Sequence, residues 1–113
     1  MKLITKAIER KLKKNYWDND RKLNNNPVKP IVKFFGGPAT WLISEMYPDN
    51  DTLFGLCDLG LGCPRYGSVS LSELKSLRIP PLGLGVERDL LFTAEKSLSK
   101  YADEAFKSGR ILA

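Results

Sequence analysis

The stretch Ile31-Val32-Lys33-Phe34-Phe35-Gly36-Gly37-Pro38-Ala39-Thr40-Trp41-Leu42-Ile43-Ser44-Glu45-Met46 decides the fold. Two β-branched and aromatic runs, Ile31 to Phe35 and Thr40 to Met46, flank Gly36, Gly37 and Pro38, and strand formers around turn formers predict a β-hairpin. In the second run strict alternation sets Trp41, Ile43 and Glu45 on one face and Thr40, Leu42, Ser44 and Met46 on the other. One face therefore carries Glu45 beside Trp41. Downstream, Pro48, Asp49, Asn50 and Asp51 signal a turn, and Leu53 to Leu59 reads as a third strand closed by Gly60, Gly62 and Pro64. Three short consecutive strands predict an antiparallel meander.

Outward from this core, Tyr66 to Val69 reads as a short strand. Ser70 stands three residues before Glu73, the reciprocal capping-box spacing, with Leu71, Leu74 and Leu77 at helical intervals behind it. Pro80 and Pro81 stop that helix, and Val86 to Phe92 reads as a final strand. Thr93 can cap a terminal helix whose buried stripe is Ala94, Leu98, Tyr101, Ala102 and Ala105, ending near Gly109. At the other end Thr5 can cap a helix with Ile4, Ile8 and Leu12 inward and Lys6, Arg10, Lys13 and Lys14 outward, its last turn cationic. The expectation is an α+β protein: an antiparallel sheet of about five short strands with an N-terminal helix, a short capped helix and a C-terminal helix. It forms one domain over residues 1–113, with a basic helix at 1–14, an Asn- and Pro-rich connection at 15–30, a sheet core at 31–92 and a C-terminal helix at 93–109.

A chain of 113 residues, 42% hydrophobic and 27% charged, has room for one ordinary core. No apolar run approaches the roughly 20 residues of a membrane span, and the N-terminus alternates lysine with Leu and Ile rather than reading as a signal peptide. A cytoplasmic protein that makes no membrane contact is expected. The chain has no histidine and only Cys57 and Cys63, which disfavours structural zinc and excludes Ser-His, Cys-His and His-metal mechanisms. No cofactor, metal or catalytic set is assigned.

The net charge of +5 is unevenly placed: up to Lys33 there are ten Lys and Arg against three acids, and beyond it eight against ten. The basic head makes Lys6, Arg10, Lys11, Lys13, Lys14, Arg21 and Lys22 candidate phosphate contacts, with Tyr16 and Trp17 able to stack on bases. The plainer reading is a solvated helix face followed by a loop. In the last strand, alternation puts Glu87 and Asp89 on one face and Arg88 on the other with Val86, Leu90 and Phe92. A partly buried Arg88 needs a carboxylate, for which Glu45, Asp58 and Glu73 are the candidates. An internal ion-pair network is preferred to the alternative, in which Glu45, Glu87 and Asp89 coordinate Mg²⁺.

The ordered set Lys33-Phe34-Phe35, Thr40 to Glu45, Leu53-Phe54-Gly55, Tyr66 to Leu74 and Gly83 to Phe92, including Glu87-Arg88-Asp89, resembles the family catalogued as domain of unknown function 2958. The match runs from about the first helix to Phe92. The resemblance implies a mobile-element context, on conjugative plasmids and bacteriophages, and no established activity. Three functional expectations follow: stoichiometric binding to a protein or nucleoprotein partner, of anti-CRISPR or anti-restriction type; direct nucleic-acid binding through the basic head; and a carboxylate-Mg²⁺ enzyme. The oligomeric state is left open.

Overall fold

The computed structural model describes residues 2–18 and 28–113. The hairpin is present as β1 (Val32–Gly36) and β2 (Ala39–Met46), followed by β3 (Thr52–Asp58), β4 (Arg65–Ser70) and a short β5 (Glu87–Arg88). They form one antiparallel sheet in the order β4-β3-β2-β1-β5, so the first four strands are the expected meander and β5 returns to flank β1. Gly36 and Gly37 do more than turn the chain, since Ile79 packs on them. An added Cβ would lie 2.5 Å from Ile79 Cδ1 at Gly36, and 2.7 Å from its Cγ2 at Gly37, where φ is +53°.

The middle of the sheet departs from strict alternation. Ile43 pairs with Gly55, but the next pairs are Glu45 with Phe54 and Met46 with Leu53, so Ser44 is the extra residue of a β-bulge. Met46 thereby joins Trp41 and Ile43 on one face, while Glu45 moves across to the face of Phe54. This corrects the expected company of Glu45 and Trp41. Close approach at the bulge also explains Gly55, where a Cβ would fall 1.9 Å from the Leu42 carbonyl oxygen.

Because β2 is buried on both faces, the structure has two apolar clusters rather than the one core expected. Helices α1 (Lys6–Asp18) and α2 (Leu71–Ser76) cover one face, where Leu12, Phe34, Trp41, Ile43, Met46, Leu53 and Leu74 pack. Helix α3 (Leu98–Ser108) covers the other with Leu98, Tyr101, Ala102 and Ala105 against Leu42, Phe54 and Leu56. Each large side chain so buried contributes about 1.5–3 kcal/mol.

Three boundaries differ from expectation. Helix α1 starts as expected, with Thr5 Oγ1 accepting from the Ile8 amide at 3.2 Å, but it continues four residues past Lys14. Tertiary contacts carry it on: Asn15 Nδ2 donates to the Ser44 carbonyl at 3.0 Å and Tyr16 packs on Tyr47. Its last turn consequently holds no basic residue and ends on Asp18. The remainder of the expected Asn-rich connection, residues 19–27, lies outside the described residues. The last strand spans only Glu87–Arg88, because the chain turns after Asp89, whose Oδ1 accepts from the Leu91 amide. Helix α3 begins after Ser97, whose hydroxyl accepts from the Lys100 amide at 3.3 Å, so Thr93 and Ala94 precede it; Gly109 ends it at φ 77°.

Candidate functional site

The acidic residues and Arg88 are dispersed rather than convergent. Arg88 pairs in register with Phe34 and so sits on the α1 side, where its Nη1 donates to the Leu3 carbonyl at 3.3 Å. Glu45, 1% exposed, faces the α3 side with Phe54. Asp58, expected as a partner for Arg88, instead binds two backbone amides: Gly60 N at 2.8 Å to Oδ1 and Ile111 N at 3.0 Å to Oδ2. A buried carboxylate thus closes the loop after β3 and clamps the tail after α3 onto the sheet. Asp89 lies 3.6 Å from Lys33 Nζ, while Glu87 and Glu73 are exposed. Among the described residues no three His, Cys, Asp or Glu groups come together as metal ligands, so Glu45, Glu87 and Asp89 are not assembled.

Glu73 gives its amide, not its carboxylate, to the cap of α2. Ser70 Oγ accepts from Glu73 N at 3.3 Å and donates to Asp51 Oδ2 at 2.6 Å, and Asp51 Oδ1 accepts from Ser72 N at 2.9 Å. These bonds, led by that from Ser70, hold the Asp51 carboxyl below its ordinary value of 3.8. The expected reciprocal box is therefore replaced by a carboxylate from the β2–β3 turn.

The basic candidates divide by what holds them. Lys13 bonds Asn50 Oδ1 and lies 3.6 Å from Glu9, and Lys14 pairs with Asp18 one turn on. Lys6, Arg10 and Lys11 are exposed and, among the described residues, have no carboxylate within 4.0 Å. Lys6, Arg10 and Lys14 recur every four residues, which lines them along one helix face. Trp17, 71% exposed, stands at the end of that stripe, edge-on to Tyr16 at 5.1 Å. Tyr16 is committed to Tyr47, ring centroids 4.9 Å apart, so of the two aromatics Trp17 alone offers an open ring. Arg21 and Lys22 lie outside the described residues.

Cys63 is exposed, whereas burial pushes the Cys57 thiol up to about 11. Reading the chain by segments missed Lys75 and Arg78, which lie across a cleft from Lys2. Their only sequence mark is a pair of cations around the stop of α2.

The architecture defines a three-layer α+β protein: an antiparallel meander between a cationic two-helix layer and a single helix. The chain belongs to the family described as Protein of unknown function (DUF2958), whose model matches residues 3–112, nearly its whole length. No curated protein and no solved structure matches it. Among the described residues no helix is long and apolar enough to cross a membrane.

Proposed function

We propose that this protein acts by stoichiometric binding to a nucleoprotein, laying the outer face of α1 on the nucleic-acid component. The observation that carries the reading is the set of exposed cations Lys6, Arg10 and Lys11 on α1, with no carboxylate within 4.0 Å among the described residues, beside the exposed Trp17. Uncompensated cations meet phosphates and release their counterions, and an open indole supplies a stacking platform. In the mobile-element setting implied by the family resemblance, the nucleoprotein would be a host defence complex of CRISPR or restriction type, met in the cytoplasm. A second reading, docking on the protein component through the body of the fold, is favoured by Leu82, Leu90 and Leu91, all mostly exposed. Among the described residues Glu45, Glu87 and Asp89 do not converge, so the geometry does not favour the carboxylate-Mg²⁺ alternative.

The test is fluorescence anisotropy with single- and double-stranded oligonucleotides over a salt series. Replacing Lys6, Arg10 and Lys11 together with Gln is the informative change, because Lys13 and Lys14 already have protein partners. Binding should weaken and the salt slope should flatten by roughly 0.7 to 0.9 for each phosphate that is no longer neutralised. Trp17→Ala should weaken single-strand binding with the slope unchanged, at a cost of about 1–3 kcal/mol. Unaltered affinity and slope in the triple variant would move the interface to the body of the protein.

A further inference from the structure

We propose that the cleft between the chain leading into α1 and the loop after α2 is a binding site for a phosphate monoester carried on an apolar or aromatic body, the chemistry of a nucleotide. The cleft has a volume of about 590 Å³, within the roughly 300–1,000 Å³ usual for small-molecule sites. Lys2, Lys75 and Arg78 line it, with no acid among its described lining residues, while Leu3, Leu84 and Val86 supply an apolar wall. This division into a cationic and an apolar part matches a ligand with a charged head and a ring.

The cations are neither adjacent in sequence nor neutralised. Among the described residues, none of the three has a carboxylate within 4.0 Å. Three like charges facing one concavity raise each other's energy, and a bound dianion would relieve that repulsion. Arg78 is also pre-positioned. Its Nη1 donates to the Leu77 carbonyl at 2.8 Å and the Lys75 carbonyl at 3.2 Å, which leaves Nε and Nη2 for an external anion. A guanidinium held on one nitrogen loses little further freedom when it grips an oxyanion with the others. Gly85 lets it lie close, since a Cβ there would be 3.3 Å from Nη1.

The walls are braced independently of any ligand. Ile79 N donates to Leu84 O and Gly83 N to Ile79 O, both at 2.9 Å, which closes the loop on itself. Ile79 anchors it on Gly36 and Gly37, and Arg88 ties Leu3 to β5 from below. The site does not depend on the α1 stripe, because none of Lys6, Arg10 and Lys11 lines it.

Isothermal titration of the full chain with inorganic phosphate, a nucleoside, its 5′-monophosphate, and an oligonucleotide with and without a 5′-phosphate tests the proposal. The monophosphate should bind about tenfold or more tightly than the nucleoside, and Lys75→Gln/Arg78→Gln should abolish that difference. Lys75→Gln alone, which leaves the Arg78 hydrogen bonds in place, should weaken the monophosphate severalfold and guards against a folding defect in the double variant. Preference for the free monophosphate assigns the site to a nucleotide; preference for the 5′-phosphorylated oligonucleotide over its hydroxyl form assigns it to a strand end. Equal binding of phosphorylated and unphosphorylated forms, no binding of either, or binding unchanged in both variants would overturn it, and the Lys6/Arg10/Lys11 variant should leave the monophosphate titration and the difference between 5′-phosphorylated and hydroxyl oligonucleotides unaltered.

Discussion

The layer of α1 and α2 and the layer of α3 cover opposite faces of one sheet, yet they are finished differently toward solvent. On the first, Lys2, Lys6, Arg10, Lys11, Lys75 and Arg78 stand without carboxylates within 4.0 Å among the described residues. Around α3, Glu95, Asp103 and Glu104 interleave with Lys96, Lys100 and Lys107, and Lys96 bonds Glu104 at 2.5 Å. Both layers bury similar apolar side chains, so the contrast does not arise from packing. A balanced surface serves solubility, whereas an unbalanced one creates a directed field. On this contrast we propose that recognition falls to the α1–α2 side, with α3 chiefly covering the sheet.

Damage to the shared sheet should erase the comparison altogether. Gly55→Ala places a methyl group against the Leu42 carbonyl opposite the bulge, where backbone rather than a movable side chain blocks it. We expect a loss of about 4 kcal/mol or more, read from urea midpoints, with both helical layers melting together. A loss under about 1 kcal/mol would mean that the bulge relaxes.

Smaller and one-sided effects should follow from the two side chains that fasten chain ends, one on each face. Asp58→Ala removes the charged acceptor shared by the Gly60 and Ile111 amides on the α3 side and should cost about 2–3 kcal/mol, since hydrogen bonds to a charged group are worth about 1.5–3 kcal/mol each and water can reach these part-buried donors once it is gone. Arg88→Ala releases the Leu3 carbonyl on the α1 side; the half-buried site admits water, so about 1–2 kcal/mol is expected. Lys13→Ala should stay within about 0.5 kcal/mol of the parent, its charge being a partly solvated surface pair. Equal midpoints for Arg88→Ala and Lys13→Ala would remove Arg88 from the set of side chains that hold the fold.

What was legible in the sequence and what was not separates along the range of the interactions. The hairpin, the meander and the Ser70 cap depend on neighbours a few residues apart, and the residues state them directly. Ser44 as a bulge was hidden because alternation assumes an unbroken period of two; Gly55 in a strand was the one available sign. The end of α1 was misplaced because Asn15 and Tyr16 are held by Ser44 and Tyr47, partners some thirty residues away. Asp58 reads in the sequence as a candidate partner for Arg88 and binds backbone amides instead, since an amide at Ile111 leaves no mark in composition. The cleft joins Lys2 to Lys75 and Arg78, so no local pattern could reveal it.

The smallest effect concerns the helix caps, and it tests whether the two faces also differ in their response to acid. Helix α3 is capped by the Ser97 hydroxyl, which does not titrate, whereas the α2 cap runs through the Asp51 carboxylate. The Asp51 carboxyl is depressed below 3.8 in the folded state, chiefly by its hydrogen bond from Ser70. A group with a depressed folded value stabilises the fold fully above its unfolded value and loses that contribution as pH falls through the folded one. Below pH 3.8 the amide of Ser72 should therefore lose protection from hydrogen exchange progressively, while the Lys100 amide, bonded to Ser97, keeps its own until the sheet itself unfolds. Asp51→Asn should remove the difference. Its amide oxygen can still accept from Ser72 N, but its Nδ2 cannot accept the Ser70 hydroxyl, so the cap is weaker at neutral pH and insensitive to acid. A Ser72 amide whose protection falls with pH as steeply in Asp51→Asn as in the parent would show that another carboxylate governs the α2 side.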